Sequence, residues 1–161
     1  MVPELLPRSL SNTDAPAYWF LNNLEIVMAT SESTGGAFAL IHQTTRPGHA
    51  TPYHLHHIED EAFYVLDGEF TFICDGKKTV LGAGGYVFLP RGLPHGIRCT
   101  GSAPSTMLIL ATPGTGFVGM MIEMAEPAKE RVLPEPAPPD MERLTMLCAK
   151  YKIDILGPLP E

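Results

Sequence analysis

Glycine and proline cut the middle of this chain into short runs, and that limits what it can fold into. The 161 residues include 15 glycines and 16 prolines. Between them the runs are rich in Val, Ile, Phe, Tyr and Thr, whose branched or aromatic side chains suit a pleated surface. The pattern predicts strands over 18–30 (broken near Asn22-Asn23), 37–45, 53–56, 61–66, 69–74, 77–81, 86–89, 95–99 and 105–111. Asp75-Gly76 and Asp67-Gly68 are hairpin turn signals, because glycine takes positive φ without steric cost. Many short antiparallel strands with tight turns make the fold class all-β, a sandwich or a barrel. Closing the sheet also removes exposed edges.

The last third differs. Phe117, Met120, Met121 and Met124 follow the three-and-four spacing of a helix face over 117–125. A proline-rich connector at 135–139 leads to Asp140, which can cap a second helix over 141–151. Met141, Leu144, Leu147 and Cys148 form one side of that helix. Both stripes are expected to pack against the outside of the β domain, with a flap over a pocket mouth as the alternative.

The length fits one domain, 1–161, with one core: a barrel over about 18–113 and a helical extension over about 114–161. The formal net charge is −7, and the longest basic cluster is Lys77-Lys78. No nucleic-acid or anionic-membrane partner is expected from that balance. No apolar run reaches the roughly 18 residues needed to span a bilayer. The stretch Met1 to Leu10 carries Pro3, Glu4 and Pro7 and does not read as a signal peptide. The three cysteines, Cys74, Cys99 and Cys148, are widely spaced with no Cys-x-x-Cys pair. A disulfide framework or thiolate zinc site is not expected, and a reducing cytoplasm fits. All three are expected as small buried hydrophobes.

The chemistry is concentrated between residues 48 and 95. Side chains on a strand alternate, so His54 and His56 share a face while Leu55 and His57 take the other. Glu61 opens the next strand after a short polar loop, and a tight reversal can bring its carboxylate beside the two imidazoles. His95 comes from a later strand, after the rigid turn Pro90-Arg91-Gly92-Leu93-Pro94. Three imidazoles and one carboxylate suit one divalent transition metal (Fe, Mn, Co, Ni, Cu or Zn), whereas all-oxygen sets suit Ca or Mg. Four protein ligands on an octahedral ion leave two positions for water, dioxygen or substrate. His42, His49 and His57 are expected outside the set, and Glu59 and Asp60 in a solvated loop.

The spacing Gly48-x5-His54-x-His56-x4-Glu61-x6-Gly68 resembles the first motif of the cupin superfamily. Gly84-x5-Pro90-x-Gly92-x2-His95 resembles the second, and the spacer between them is short, as in compact single-domain cupins. Together the motifs span about a third of the chain. One departure is Cys99, which stands where the second motif usually ends in Asn. The resemblance implies a double-stranded β-helix, or jelly-roll, barrel with short C-terminal helices. It places the metal inside on His54, His56, Glu61 and His95.

Cupins host many reactions, so the fold does not select one. The runs 100–104 and 107–114 with the 117 helix, and the tail 139–158, are similar to single-cupin quercetin 2,3-dioxygenase-like proteins. That resemblance implies a metal-dependent dioxygenase acting on a flavonol-like or other enolisable aromatic small molecule, with Glu61 as ligand and catalytic base. Phe63, Phe72 and Phe88 are candidate substrate contacts on inward strand faces. Two alternatives keep the same barrel: a non-redox isomerase, decarboxylase or hydrolase of a small oxyacid, and a non-catalytic small-molecule-binding module. A homodimer is expected, through pairing of the strand at 18–30 with its equivalent.

Overall fold

The computed structural model describes residues 4–161. Pro3 and the other residues at the start of the 1–10 stretch lie outside the described residues. Among the described residues, twelve strands form two antiparallel sheets that face each other. They are β1 (Ala17–Phe20), β2 (Asn23–Ala29), β3 (Ala39–Thr45), β4 (Tyr53–His56), β5 (Asp60–Asp67) and β6 (Glu69–Cys74), followed by β7 (Lys77–Gly82), β8 (Tyr86–Leu89), β9 (His95–Cys99), β10 (Ser105–Thr112), β11 (Glu126–Pro127) and β12 (Ile153–Gly157). The seven-stranded sheet runs β11-β1-β2-β3-β10-β5-β8, and the five-stranded sheet runs β12-β4-β9-β6-β7. This is the all-β architecture that the glycine and proline punctuation requires.

The core lies between the sheets. Alternate residues of β3 (Ala39, Ile41), β5 (Phe63, Val65), β6 (Phe70, Phe72) and β10 (Met107, Ile109) all point into it. Burying a large side chain of this kind stabilises the fold by about 1.5–3 kcal/mol relative to exposure. The break expected at Asn22-Asn23 is a two-residue reversal, with positive φ at Leu21 and Asn22. Asp75 and Gly76 also take positive φ, as their hairpin requires. At Gly68 (φ +79°) a Cβ would fall 2.0 Å from Ser105 Oγ, so both conformation and space demand glycine there.

Two helices, α1 (Phe117–Met124) and α2 (Met141–Lys150), close one side. The Asp140 side chain caps α2 by accepting the Arg143 N–H at 3.0 Å. Their stripes do more than cover the outside of the β domain. Met120, Leu144 and Cys148 also wall a chamber beside His54 and His56, so the helices line a pocket as well as packing.

Two strands do not appear in the strand pattern of the sequence. β12 pairs with β4 and shields the edge of the strand that carries His54 and His56. β11 pairs with β1, through Tyr18 with Pro127 and Trp19 with Glu126. The edge expected to join a second subunit at 18–30 is therefore covered by this chain's own backbone: β11 lies on β1, and β3 lies on β2. No helix among the described residues is long and apolar enough to cross a membrane.

Candidate metal centre

The two sheets each supply part of one cluster. His54 and His56 lie on β4, and His54 pairs directly with His95 on β9. Glu61 comes from β5 in the facing sheet. One donor atom from each of the four lies within 4.8 Å of every other. Glu61 Oε2 is 2.9 Å from His95 Nε2 and 3.3 Å from His56 Nε2. The His56 and His95 rings lie nearly parallel, 5.4 Å apart. His56, Glu61 and His95 are buried, while His54 is half-buried and faces the opening.

Backbone contacts aim the rings. His54 Nδ1 lies 2.8 Å from the Pro52 carbonyl, which turns Nε2 toward the cluster. His95 Nδ1 lies 3.2 Å from the Leu93 carbonyl with the same effect. The turn before His95 is clamped at two adjacent residues, Arg91 and Gly92. Gly92 N–H donates to the His56 carbonyl at 2.8 Å. Arg91 donates to Asp60 from its backbone N–H and from its guanidinium, at 2.9–3.1 Å. Asp60 is therefore the first residue of β5 and an anchor for that turn, not part of a free loop.

Glu59 also departs from the expected solvated loop, because it is buried beneath α1. Its carboxylate accepts the Gly116 N–H at 3.1 Å and the Phe117 N–H, at the start of α1. The same group lies 3.6 Å from His56 Nδ1. A Cβ at Gly116 would come within 2.6 Å of the Glu59 carboxylate, so this approach requires glycine. A glutamate three residues after a histidine is an ordinary pattern, and only the fold shows where this one goes.

The electrostatics suit a cation. Burial alone would raise the Glu61 carboxyl, but the charges of His56 and His95 and the His95 hydrogen bond outweigh it and hold its pKa at about 2. Burial and the neighbouring imidazoles depress His54 to about 3, so it is a neutral donor at ordinary pH. Burial opposes charge on His56, yet Glu61 and Glu59 raise its pKa overall. Neither ring nitrogen of His56 has a hydrogen-bond partner among the described residues. Two orphaned nitrogens on a buried ring are costly in an empty core. Four converging nitrogen and carboxylate donors fit a first-row divalent ion, and the cluster can hold a metal.

The space in front of the cluster is apolar and small, about 60 Å³. Phe20, Phe117, Met120, Leu144 and Ile153 help to wall it. The aromatic walls are thus Phe20 and Phe117, not the three phenylalanines expected. Phe63 and Phe72 point inward as expected, but they pack on each other at 5.3 Å in the core and do not line the chamber. Phe88 corrects the expectation outright, because it is 51% exposed. Val87 and Leu89 take the inward positions of β8, and alternation turns Phe88 out. No periodicity marks Phe20 or Phe117 as chamber residues, since they meet only through α1 folding over the β1 end.

The remaining histidines stay outside the cluster. His57 is exposed and lies 2.7 Å from Asp154 on β12, tying that strand to β4. His42 is half-buried on β3, and His49 lines a neighbouring cleft. All three cysteines are free; Cys99 and Cys148 are buried, and Cys74 is half-buried. Cys99, in the place of the usual Asn, directs its thiol to the Thr45 carbonyl at 3.7 Å and so still pins the strand end to β3.

Residues 41–111 match the family model described as Cupin domain. A quercetin 2,3-dioxygenase from Bacillus subtilis is 34% identical over 95 residues, which is 59% of this chain and 28% of that protein. This chain therefore spans well under two thirds of that relative. Among solved structures, a predicted oxalate decarboxylase from Thermotoga maritima aligns with a TM-score of 0.61 at 21% identity, over 65% of this chain and 97% of that one. The polyketide cyclase RemF from Streptomyces resistomycificus aligns with a TM-score of 0.57 at 23% identity, over 66% of this chain and 79% of that one. These two likenesses establish the shared fold.

Proposed function

We propose that this chain, which belongs to the cupin superfamily, is a metal-dependent dioxygenase of the quercetin 2,3-dioxygenase-like type, oxygenating a flavonol-like or other enolisable aromatic molecule. The supporting observation is a buried three-histidine, one-glutamate cluster that opens onto an apolar chamber with Phe20 and Phe117 in its walls. The 34% identity to a quercetin 2,3-dioxygenase supports the same reading.

His54, His56, Glu61 and His95 would hold the ion. Bound there, a transition-metal dication supplies Lewis acidity and free coordination positions for oxygen donors. The chain's own residues do the rest. Phe20 and Phe117 orient a flat substrate edge toward the cluster. Met120, Leu144 and Ile153 exclude water from it. Glu61 would take the proton of the substrate hydroxyl, for which it would have to release or weaken its own contact with the ion, since a carboxylate beside a cation has a lowered pKa.

The chamber size favours a second reading. About 60 Å³ accepts a small oxyacid whole but only the edge of a flavonol. A non-redox isomerase, decarboxylase or hydrolase would use the same donors without dioxygen.

The test is oxygen consumption by protein loaded separately with Fe, Mn, Co, Ni, Cu and Zn, against a panel of flavonols. Uptake with at least one metal is expected. Absence of uptake with every metal, together with anaerobic turnover of a small oxyacid, would move the assignment to the second reading.

A further inference from the structure

Beside the small chamber lies a larger cleft of about 510 Å³. Leu21, Thr51, Pro52, Leu144 and Ile155 line both, so the two spaces adjoin. The cleft volume falls within the usual range for a small-molecule site, roughly 300–1,000 Å³. Its lining is largely apolar, with a single ionic side chain, that of Arg98.

Arg98 is half-buried on β9. It forms no ion pair and no side-chain hydrogen bond among the described residues. Of the other arginines, Arg91 is held by Asp60, and Arg46, Arg131 and Arg143 are held by backbone carbonyls. The polar groups around Arg98 do not compete for an anion. The Asn22 side chain is occupied at both ends by Ala137, at 2.9 and 3.0 Å. Burial and the Arg46 charge lower the pKa of His49, which keeps its imidazole neutral. Arg98 is half-buried among apolar side chains, and its guanidinium donors are free to meet an anion. Its planar fork matches an oxyanion with two equivalent oxygens.

We propose that this cleft is the outer half of the substrate site and that Arg98 binds a carboxylate or similar oxyanion at the far end of the substrate. The substrate class follows from the lining: an elongated molecule with oxygen donors at the reacting end, an apolar body and an anionic tail. The body lies along Leu21, Thr51, Pro52, Leu144 and Ile155, the residues that line both spaces. The proposal rests on reading the chamber as the substrate site, but it does not depend on which reaction occurs there. It also accounts for how a chamber of about 60 Å³ can serve a larger molecule, most of which lies outside it.

The test uses two fluorescent probes of the same shape, 8-anilinonaphthalene-1-sulfonate and its uncharged relative N-phenyl-1-naphthylamine. Each is titrated into wild-type, Arg98→Gln and Arg98→Lys protein, with the metal loaded and with it stripped. Arg98→Gln is expected to weaken the sulfonate about tenfold, the scale of one charge-assisted contact. The uncharged probe is expected to change less than about twofold, and Arg98→Lys to recover part of the loss because it keeps the charge. Raising salt from about 0.05 M to about 0.5 M is expected to narrow the wild-type advantage, because it screens a partly exposed pair. Equal binding of the sulfonate to wild type and Arg98→Gln would overturn the proposal. So would an equal loss for both probes, which would mean that Arg98 shapes the cleft and does not bind the anion. A positive result on metal-stripped protein stands even if oxygen uptake is never found, so the two failures are distinguishable.

Discussion

The carboxylate of Glu59 lies 3.6 Å from Nδ1 of His56. The same carboxylate accepts the first backbone N–H groups of α1. One buried side chain therefore holds the helix that roofs the chamber and stands behind a metal-facing imidazole, just beyond hydrogen-bond distance. A carboxylate behind a ligand histidine fixes the ring and raises its basicity, and losing such a partner typically costs 10–100-fold in metal affinity. Glu59→Gln keeps an acceptor for the helix, so the fold is expected to persist while metal affinity drops about tenfold or more. Competition against a chelator measures it. An unchanged affinity would show that Glu59 serves α1 alone.

His54→Ala and His56→Ala are each expected to remove most bound metal, and His57→Ala to leave it in place. His57 faces the opposite side of β4 and holds Asp154. That exposed pair contributes at most about 1 kcal/mol. Elemental analysis of the three variants decides the matter. Equal depletion in His57→Ala would overturn the face assignment. Glu61→Gln is expected to retain part of the metal and lose turnover.

Glu25 carries a pH dependence away from the cluster. It is fully buried on β2, opposite Gln43 of β3, and neither carboxylate oxygen has a hydrogen-bond partner among the described residues. Burial raises its pKa well above 4.5, and the nearby Asn23 offsets only part of that. The folded state keeps a proton that the unfolded chain releases, so folding binds more protons above the ordinary carboxylate pKa. This contribution to stability is complete below about pH 4.5 and is lost as pH rises toward the folded value. Glu25→Gln is expected to raise the Tm relative to wild type at about pH 8 and to differ little at about pH 4. Thermal melts across that range test it, and parallel curves would exclude Glu25 as the source.

Phe63 and Phe88 are expected to separate cleanly. Phe63 is 1% exposed and packs on Phe72. Phe63→Ala is expected to cost about 3–5 kcal/mol in denaturant melts. Phe88→Ala on the outer face is expected to cost about 0.5 kcal/mol or less. A large loss at Phe88 would indicate that something covers that face.

Much of the scaffold was legible because strand alternation and turn chemistry are local. The runs at 53–56, 69–74, 86–89 and 95–99 needed only side-chain type and a period of two, and the structure has strands at those positions. The co-facial placement of His54 and His56 has the same basis. The residues around the cluster were hidden for the opposite reason. β12 is short and lies far along the chain from β4, and the pairing exists only once α2 has brought the chain back. Phe20, Phe117, Leu144 and Cys148 belong to separate elements, and nothing local distinguishes a chamber wall from core. Glu59 is indistinguishable by spacing from a solvated loop residue.

The sequence by itself determined an all-β chain and four donor residues at spacings that suit one ion, because those properties depend on neighbours two to five residues apart or on rigid turns. Only the tertiary structure decided what faces those donors. The roof of two helices, the buried Glu59 strut, the exposure of Phe88 and the cleft holding Arg98 all arise from contacts between distant segments. Which segments meet is set by how the two sheets and two helices bury their apolar faces together, and no local pattern records that.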